Sequence, residues 1–323
     1  MDFLSLADKV INGYQISLEE AELLINCSDA EVFLLTSAAN KIKSHFFGNK
    51  VKLCSLVNAK SGSCSENCSF CAQSAHFNTD VAEFPLVSQS EIISEAERAA
   101  KHGATCFSVV TSGRGAADKN DFDAITNGIK GVTENVSLKS CASLGILTKA
   151  QLLALKAAGL KRFHHNLETA RSFFPAICTT HEYEDRVQTV KDAKEIGLEV
   201  CSGGIFGLGE TSFQRIELAF TLRELNVDSV PINILHPIPG TKAADAPSLK
   251  PLEALKLIAA YRFVFPRIDV GVLGGRESRM GDLQSFVLVS GANVILLGNY
   301  LTTQGRPAQK DLEMICNLGL EVS

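Results

Sequence analysis

The chain has 323 residues, 46% of them apolar, enough for one large domain or two small ones with a sizeable core. A formal net charge of −5 and a pI near 5.9 argue against a general affinity for nucleic acid or other polyanions. No apolar run approaches the roughly 20 residues that span a bilayer, and the acidic start Met1-Asp-Phe-Leu-Ser-Leu-Ala-Asp lacks the basic flank of a secretory signal. The chain therefore reads as cytoplasmic, with its ten cysteines reduced.

Residues 1–48 read as a helical extension. Phe3, Leu4, Leu6, Ala7 and Val10 recur at helical spacing. Ser17-Leu-Glu-Glu has the form of a capping box, and Ser28-Asp-Ala-Glu opens a further helix with Val32, Leu35 and Ala38 on its apolar face. From Val51 short apolar runs alternate with amphipathic segments. The strand candidates are 51–57, 105–110, 136–141, 162–166, 199–206, 229–235, 268–273 and 293–297. Helical segments are expected at 89–102, 121–132, 148–158, 183–196, 211–225 and 252–264, three of them ending near Gly103, Gly159 and Gly197. This rhythm predicts an α/β fold, a (β/α)8 TIM-type barrel over 49–300, with a C-terminal extension of one short helix over 301–323. A doubly wound open sheet is the alternative, but no G-x-G-x-x-G follows the first strand.

The loop after the first strand carries Cys64-Ser-Glu-Asn-Cys68-Ser-Phe-Cys71, a C-x3-C-x2-C spacing. Thiolates bind soft metal ions and iron–sulfur clusters, the latter normally through four sulfurs. Three ligands on one loop would hold three irons of a cubane and leave the fourth open to a small molecule, with Phe70 placing a ring beside it. The competing readings are disulfides, a zinc site or core cysteines. The three-residue spacing fits paired C-x2-C zinc ligands poorly. Barrel active sites lie at the C-terminal strand ends, where this loop falls. Thr111-Ser-Gly-Arg-Gly after the second strand and Gly203-Gly-Ile-Phe-Gly-Leu-Gly-Glu210 in the fifth also fall there.

Four more cysteines lie on strands: Cys54, Cys106, Cys141 and Cys201. Any one alone is most simply a core residue. Four on four strands of one barrel point to a second cluster below the first. Cys27, Cys178 and Cys316 sit in helical or loop stretches and read as structural or incidental.

The cysteine loop resembles that of the radical S-adenosylmethionine (SAM) superfamily. With Asn166-Leu-Glu-Thr, Cys201-Ser-Gly-Gly-Ile-Phe-Gly-Leu-Gly-Glu-Thr, Val230-Pro-Ile-Asn233, Gly274-Gly-Arg-Glu, Gly291-Ala-Asn and Leu301-Thr-Thr303 in order, the chain resembles the biotin synthase family over nearly its whole length. The resemblance implies sulfur insertion into dethiobiotin to give biotin, with two SAM consumed per biotin. Cys64, Cys68 and Cys71 would hold a 4Fe–4S cluster whose open iron binds SAM. Phe70 would lie at the adenine, Asn166 and Glu168 on the ribose side, and Arg186 at the SAM carboxylate, with Ile205 also against SAM. Asn166 and Asn233 would hold the ureido ring of dethiobiotin, with Lys60, Thr302 and Thr303 at the substrate's polar ends. Arg186, in Tyr183-Glu-Asp-Arg, also reads as an exposed helix charge. The family further implies a homodimer and an electron donor such as flavodoxin or ferredoxin.

The chain departs from the family in two ways. Glu168 replaces the usual Asp. The family's auxiliary 2Fe–2S cluster uses three cysteines and an arginine; two positions match Cys141 and Cys201, but the others fall on Ser108 and Gly271. Cys106, two residues before Ser108, shares its strand face, and Cys54 stands where the family often has Ser. The expectation is an auxiliary cluster held by Cys54, Cys106, Cys141 and Cys201, of 4Fe type, with room gained at Gly271. It resembles a variant group of the family that suits an anaerobe. The rivals are another radical SAM enzyme of the subfamily, of hydrogenase-maturation or pyrrolysine-pathway type, and a non-catalytic iron–sulfur or zinc protein.

Overall fold

The computed structural model describes residues 1–116 and 118–323. Three helices, α1 (Phe3–Ile11), α2 (Leu18–Ile25) and α3 (Val32–Phe47), form the N-terminal extension. The starts of α1 and α2 are fixed by local chemistry. Asp2 Oδ1 accepts from Leu4 N and Ser5 N at 3.1 Å, and Ser17 and Glu20 close a reciprocal capping box. Phe3, Leu6, Ala7 and Val10 are the buried face of α1, as their spacing requires.

The barrel strands are β1 (Lys50–Lys60), β2 (Cys106–Thr111), β3 (Lys139–Ser143), β4 (Arg162–His164), β5 (Glu199–Cys201), β6 (Gly204–Phe206), β7 (Ser229–Ile234), β8 (Asp269–Val272) and β9 (Val294–Leu296). The helices between them are α4 (Gln89–Lys101), α5 (Lys119–Asn135), α6 (Lys149–Ala157), α7 (Phe174–Ile177), α8 (Tyr183–Glu195), α9 (Ser212–Glu224), α10 (Pro251–Val264), α11 (Arg276–Met280) and α12 (Phe286–Val289); α13 (Ala308–Asn317) and β10 (Glu321–Val322) follow. All barrel pairings are parallel, and β9 returns to β1 through Leu53↔Ile295, closing the ring. The eight expected strand positions are all present, so the open-sheet alternative falls.

The expected fifth strand is two pieces, β5 and β6. The break lies at Gly203, where a Cβ would stand 2.0 Å from the Pro231 carbonyl oxygen. That close approach brings the chain against β7, where Gly204 pairs with Ile232. The short helices α11 and α12 and the two-residue β10, which pairs with Lys50 and Val51, were not expected.

Helix α10 is buried from Ala254 to Val264 and packs on α2 and α3, sealing the extension to the barrel. The C-terminal α13 is fastened by Arg276 Nη2 on Asp311 Oδ1 at 2.8 Å, with both side chains 1% exposed. Losing one member of a fully buried pair leaves an uncompensated charge. Asp311→Ala is expected to lower unfolding free energy by about 3–5 kcal/mol, read as a fall in the urea midpoint. A midpoint change worth under about 1 kcal/mol, the surface-pair value, would contradict this.

Candidate functional site

The cysteine loop leaves the C-terminal end of β1 and is held by backbone bonds at both ends. Cys64 N donates to Gln73 O at 2.9 Å and Ala75 N to Cys64 O at 2.8 Å. Ser69 N donates to Ile177 O at 2.8 Å, which ties the loop to the C-terminal end of α7. Cys64 and Cys68 are buried and Cys71 half-buried. All three, with Phe70, line one cavity of about 420 Å³ that runs down the barrel.

Arg186, on α8, organises the upper part of the cavity. Its Nε donates to His181 Nε2 at 2.9 Å, and Nη1 to Asn166 O at 3.0 Å and to Glu168 Oε1 at 3.5 Å, while Nη2 lies 3.9 Å from Cys68 Sγ. Its side chain is 12% exposed, so it is not the solvated helix charge its sequence context also allowed. Because Nε2 of His181 accepts, Nδ1 carries the proton and donates to Glu66 Oε2, inside the cysteine loop. Burial works against ionised Glu66, but bonds from Thr180 and His181 outweigh it and hold the carboxyl below its ordinary range. Glu168 sits at φ +70°. Burial raises its pKa, with Arg186 opposing.

Asn166 Oδ1 is bonded to His164 Nε2 at 3.0 Å and accepts from Gly203 N at 3.2 Å; Nδ2 donates to Glu168 Oε2 at 3.3 Å. Asn233 Oδ1 accepts from Gly274 N at 2.9 Å and Nδ2 donates to Gly204 O at 3.1 Å. Part of its amide is thus committed to backbone. Ile205, Thr302 and Thr303 also line the cavity. Lys60 does not. The register of β1 shifts between Asn58 and Lys60, and Lys60 Nζ pairs with Asp121 Oδ2 at 2.6 Å on α5. A bulge reverses the side-chain alternation and turns Lys60 to Asp121, away from the cavity in which the resemblance put it at the substrate's polar ends.

Cys54, Cys106, Cys141 and Cys201 line the same cavity. Cys54 is the register partner of Cys106, Ser108 of Cys141, and His164 of Cys201. Hydrogen bonds with Cys141 and Cys54 hold the Cys106 thiol well below its ordinary range. The same bonds, then burial, push Cys54 and Cys141 well up. Burial pushes Cys201 up to about 11. All ten cysteines are free. Three buried thiols and the half-buried Cys54 lining one cavity, with the unpartnered Ser108 hydroxyl beside them, are a soft donor set that fits an iron–sulfur cluster. Gly271 offers less room than expected, since a Cβ there would stand 3.2 Å from Val294 Cβ.

Cys27 and Cys316 lie outside the site, the first buried in the extension and the second exposed on α13. Cys178 is a correction. Its Sγ is 3.8 Å from Cys68 Sγ and 3.3 Å from His181 Nδ1, so it belongs to the site. Glu66 and His181 were also missed. A glutamate between the loop cysteines was visible in the sequence, but its histidine partner lies 115 positions away.

His164 and His165 are both held neutral, chiefly by burial, which lowers His164 and puts His165 well below the ordinary value of 6.5. The unfolded chain takes up protons below that pH and the folded chain does not. Stability is therefore complete above pH 6.5 and is lost as pH falls through it, by up to about 1.4 kcal/mol per pH unit for each histidine. Urea midpoints should fall between pH 7 and pH 5, with a smaller fall in His165→Asn; identical slopes would contradict the assignment for His165.

A closed parallel barrel with three loop thiols at its mouth and a Glu–His–Arg chain beside them defines the class: residues 60–236 match the Radical SAM superfamily, and residues 231–321 match the Biotin and Thiamin Synthesis associated domain. Over 318 residues the chain is 48% identical to the biotin synthase of Geobacter metallireducens, covering 98% of this chain and 97% of the relative. It is 48% identical over 320 residues to the biotin synthase of Pelotomaculum thermopropionicum, covering 99% of each. The chain belongs to the biotin synthase family. Among solved structures it superposes on methylornithine synthase with TM-score 0.85 at 22% identity, covering 98% and 97% of the two chains. The FeFe-hydrogenase maturase of Carboxydothermus hydrogenoformans gives TM-score 0.83 at 18% identity, over 99% of this chain and 79% of that one. These two likenesses concern the fold. Among the described residues no helix is long and apolar enough to cross a membrane.

Proposed function

We propose that this chain performs the reaction its family is named for, converting dethiobiotin to biotin with sulfur drawn from an auxiliary cluster and two SAM consumed per biotin. The observation that carries this reading is the stacking in one cavity of a three-cysteine loop above and a four-cysteine set below, with Asn166 and His164 on the same cavity wall. Cleavage of unactivated C–H bonds is beyond acid–base side chains, and the bound clusters supply the electron that opens SAM to a radical and the sulfide for the product.

The chain's own residues hold and orient. Cys64, Cys68 and Cys71 bind the 4Fe–4S cluster. Arg186, fixed by His181 and the Asn166 carbonyl, offers its guanidinium to the SAM carboxylate. Glu168 and Asn166 take the ribose, while Phe70 and Ile205 flank the adenine. The uncommitted parts of the Asn166 and Asn233 amides face the ureido ring, and Thr302 and Thr303 meet the substrate's carboxylate at the mouth. Cys54, Cys106, Cys141 and Cys201 hold the auxiliary cluster, whose four-thiolate set favours a 4Fe type. The predominantly apolar walls keep water from the radical. The reading includes a cytoplasmic homodimer served by a flavodoxin or ferredoxin.

The test is anaerobic incubation of the reconstituted protein with reductant, SAM and dethiobiotin, read by mass spectrometry after iron and sulfide are counted. Biotin together with about eight irons per chain, as two four-iron clusters hold, supports the whole reading. Biotin with about six irons keeps the reaction and removes the larger cluster. Deoxyadenosine without biotin moves the substrate to another radical SAM reaction.

A further inference from the structure

Below the four cysteines the barrel is closed by charge. Lys52, Lys139, Arg162, Glu199 and Asp269 stand at or near the N-terminal ends of β1, β3, β4, β5 and β8. Lys52 Nζ lies 2.8 Å from both carboxylate oxygens of Asp269, and Lys139 Nζ 2.8–2.9 Å from both of Glu199. Arg162 puts Nε at 2.9 Å and Nη2 at 2.8 Å from Glu199 Oε2, with Nη2 3.8 Å from Asp269 Oδ2. Three cations against two carboxylates leave this floor with an excess of +1.

Only one of those cations is buried. The side chains of Lys52 and Lys139 are 43% and 37% exposed, and that of Arg162 is 10%. Arg162 is the register partner of Cys141 on the neighbouring parallel strand, so the two side chains share the barrel interior. It lines the same cavity as all four cysteines. Thiolate charge at Cys201, Cys141 and Cys106 raises its basicity against the cost of burial.

A cluster bound by four thiolates is a net anion, and a buried anion without a cation nearby is costly. We propose that Arg162 is the built-in counter-charge of the auxiliary cysteine site, raising the cluster's reduction potential and its retention, and that Glu199 is the positioning residue that fixes it. The proposal rests on the auxiliary-cluster reading above. A fixed positive charge favours the more negative, reduced form, so its loss makes reduction harder. Nε and Nη2 are committed to Glu199, so Arg162 acts through charge.

The experiment is an anaerobic redox titration of the reconstituted full chain, followed by electron paramagnetic resonance, with iron and sulfide counted. It compares wild type with Arg162→Gln, Arg162→Lys and the double variant Arg162→Gln/Glu199→Gln. The double variant removes the Arg162–Glu199 pair as a unit; in the single variant Glu199 is 40% exposed and keeps its pair with Lys139. Arg162→Gln is expected to make reduction of the auxiliary cluster at least tenfold less favourable, about 59 mV for one electron, and the double variant, which also loses a more distant and more exposed carboxylate, shifts in the same direction by less. Arg162→Lys should restore most of that, and the loop cluster serves as internal reference. About eight irons in wild type and double variant with unchanged auxiliary potentials would overturn the role of Arg162 alone. A wild type holding only about four irons would overturn the auxiliary reading and this proposal together.

Discussion

Cys106→Ser is expected to leave the loop cluster and its SAM cleavage in place while auxiliary iron and biotin formation fall together. Cys106 is the central thiol of the lower set, in contact with both Cys54 and Cys141. A serine hydroxyl is a hard, neutral donor in place of a soft thiolate, and it would join the Ser108 hydroxyl, which already lacks a partner. We expect close to four fewer irons per chain and at least about a tenfold loss of biotin, about 1.4 kcal/mol on the barrier. Deoxyadenosine should still form. Cys54→Ser should behave in the same way, because Cys54 faces Cys106 across the β1–β2 register. Normal biotin yield from both variants would remove these two residues from the ligand set.

Cys68→Ala has the larger effect. Cys68 is the loop thiol nearest Arg186, so its removal takes away a ligand and disturbs the site proposed for the SAM carboxylate. Both deoxyadenosine and biotin should fall at least about a thousandfold, about 4 kcal/mol. Cys178, 3.8 Å away, does not replace it, because the Ser69–Ile177 bond holds the two segments side by side and Cys178 is engaged by His181 and Thr180. Cys178→Ala is the control, expected to keep the loop cluster. Activity in Cys68→Ala that disappears in the double variant would show Cys178 acting as a ligand.

The sequence was most informative where a structural cause is local. Capping boxes and apolar spacing placed α1 to α3, and the alternation of strand and helix gave the barrel. Parity along β2 put Cys106 and Ser108 on one face, as found. The resemblance put Lys60 at the substrate, but a register shift in β1 turns it to Asp121. The divided fifth strand depends on Pro231, across the sheet from Gly203; the Gly203-Gly204 pair signals a close approach, but not the partner that makes it. Cys178 and His181 join the site only because residues more than 100 positions apart meet. Arg162 lay on the inward face of a correctly placed strand. Its importance emerges only with Glu199, Asp269 and the two lysines around it.

The strand that carries the cysteine loop is also the seam of the whole molecule: β1 pairs with β2, with β9 and with β10. Synthesis proceeds from the N-terminus, and domains fold as units. When Cys54 to Cys71 leave the ribosome, two of the three strands that flank them lie more than 200 residues ahead in the message. The thiols of β1 and its loop therefore wait, unburied, until β9 and β10 have been made. Any oxidant met before those strands close the ring finds these cysteines open.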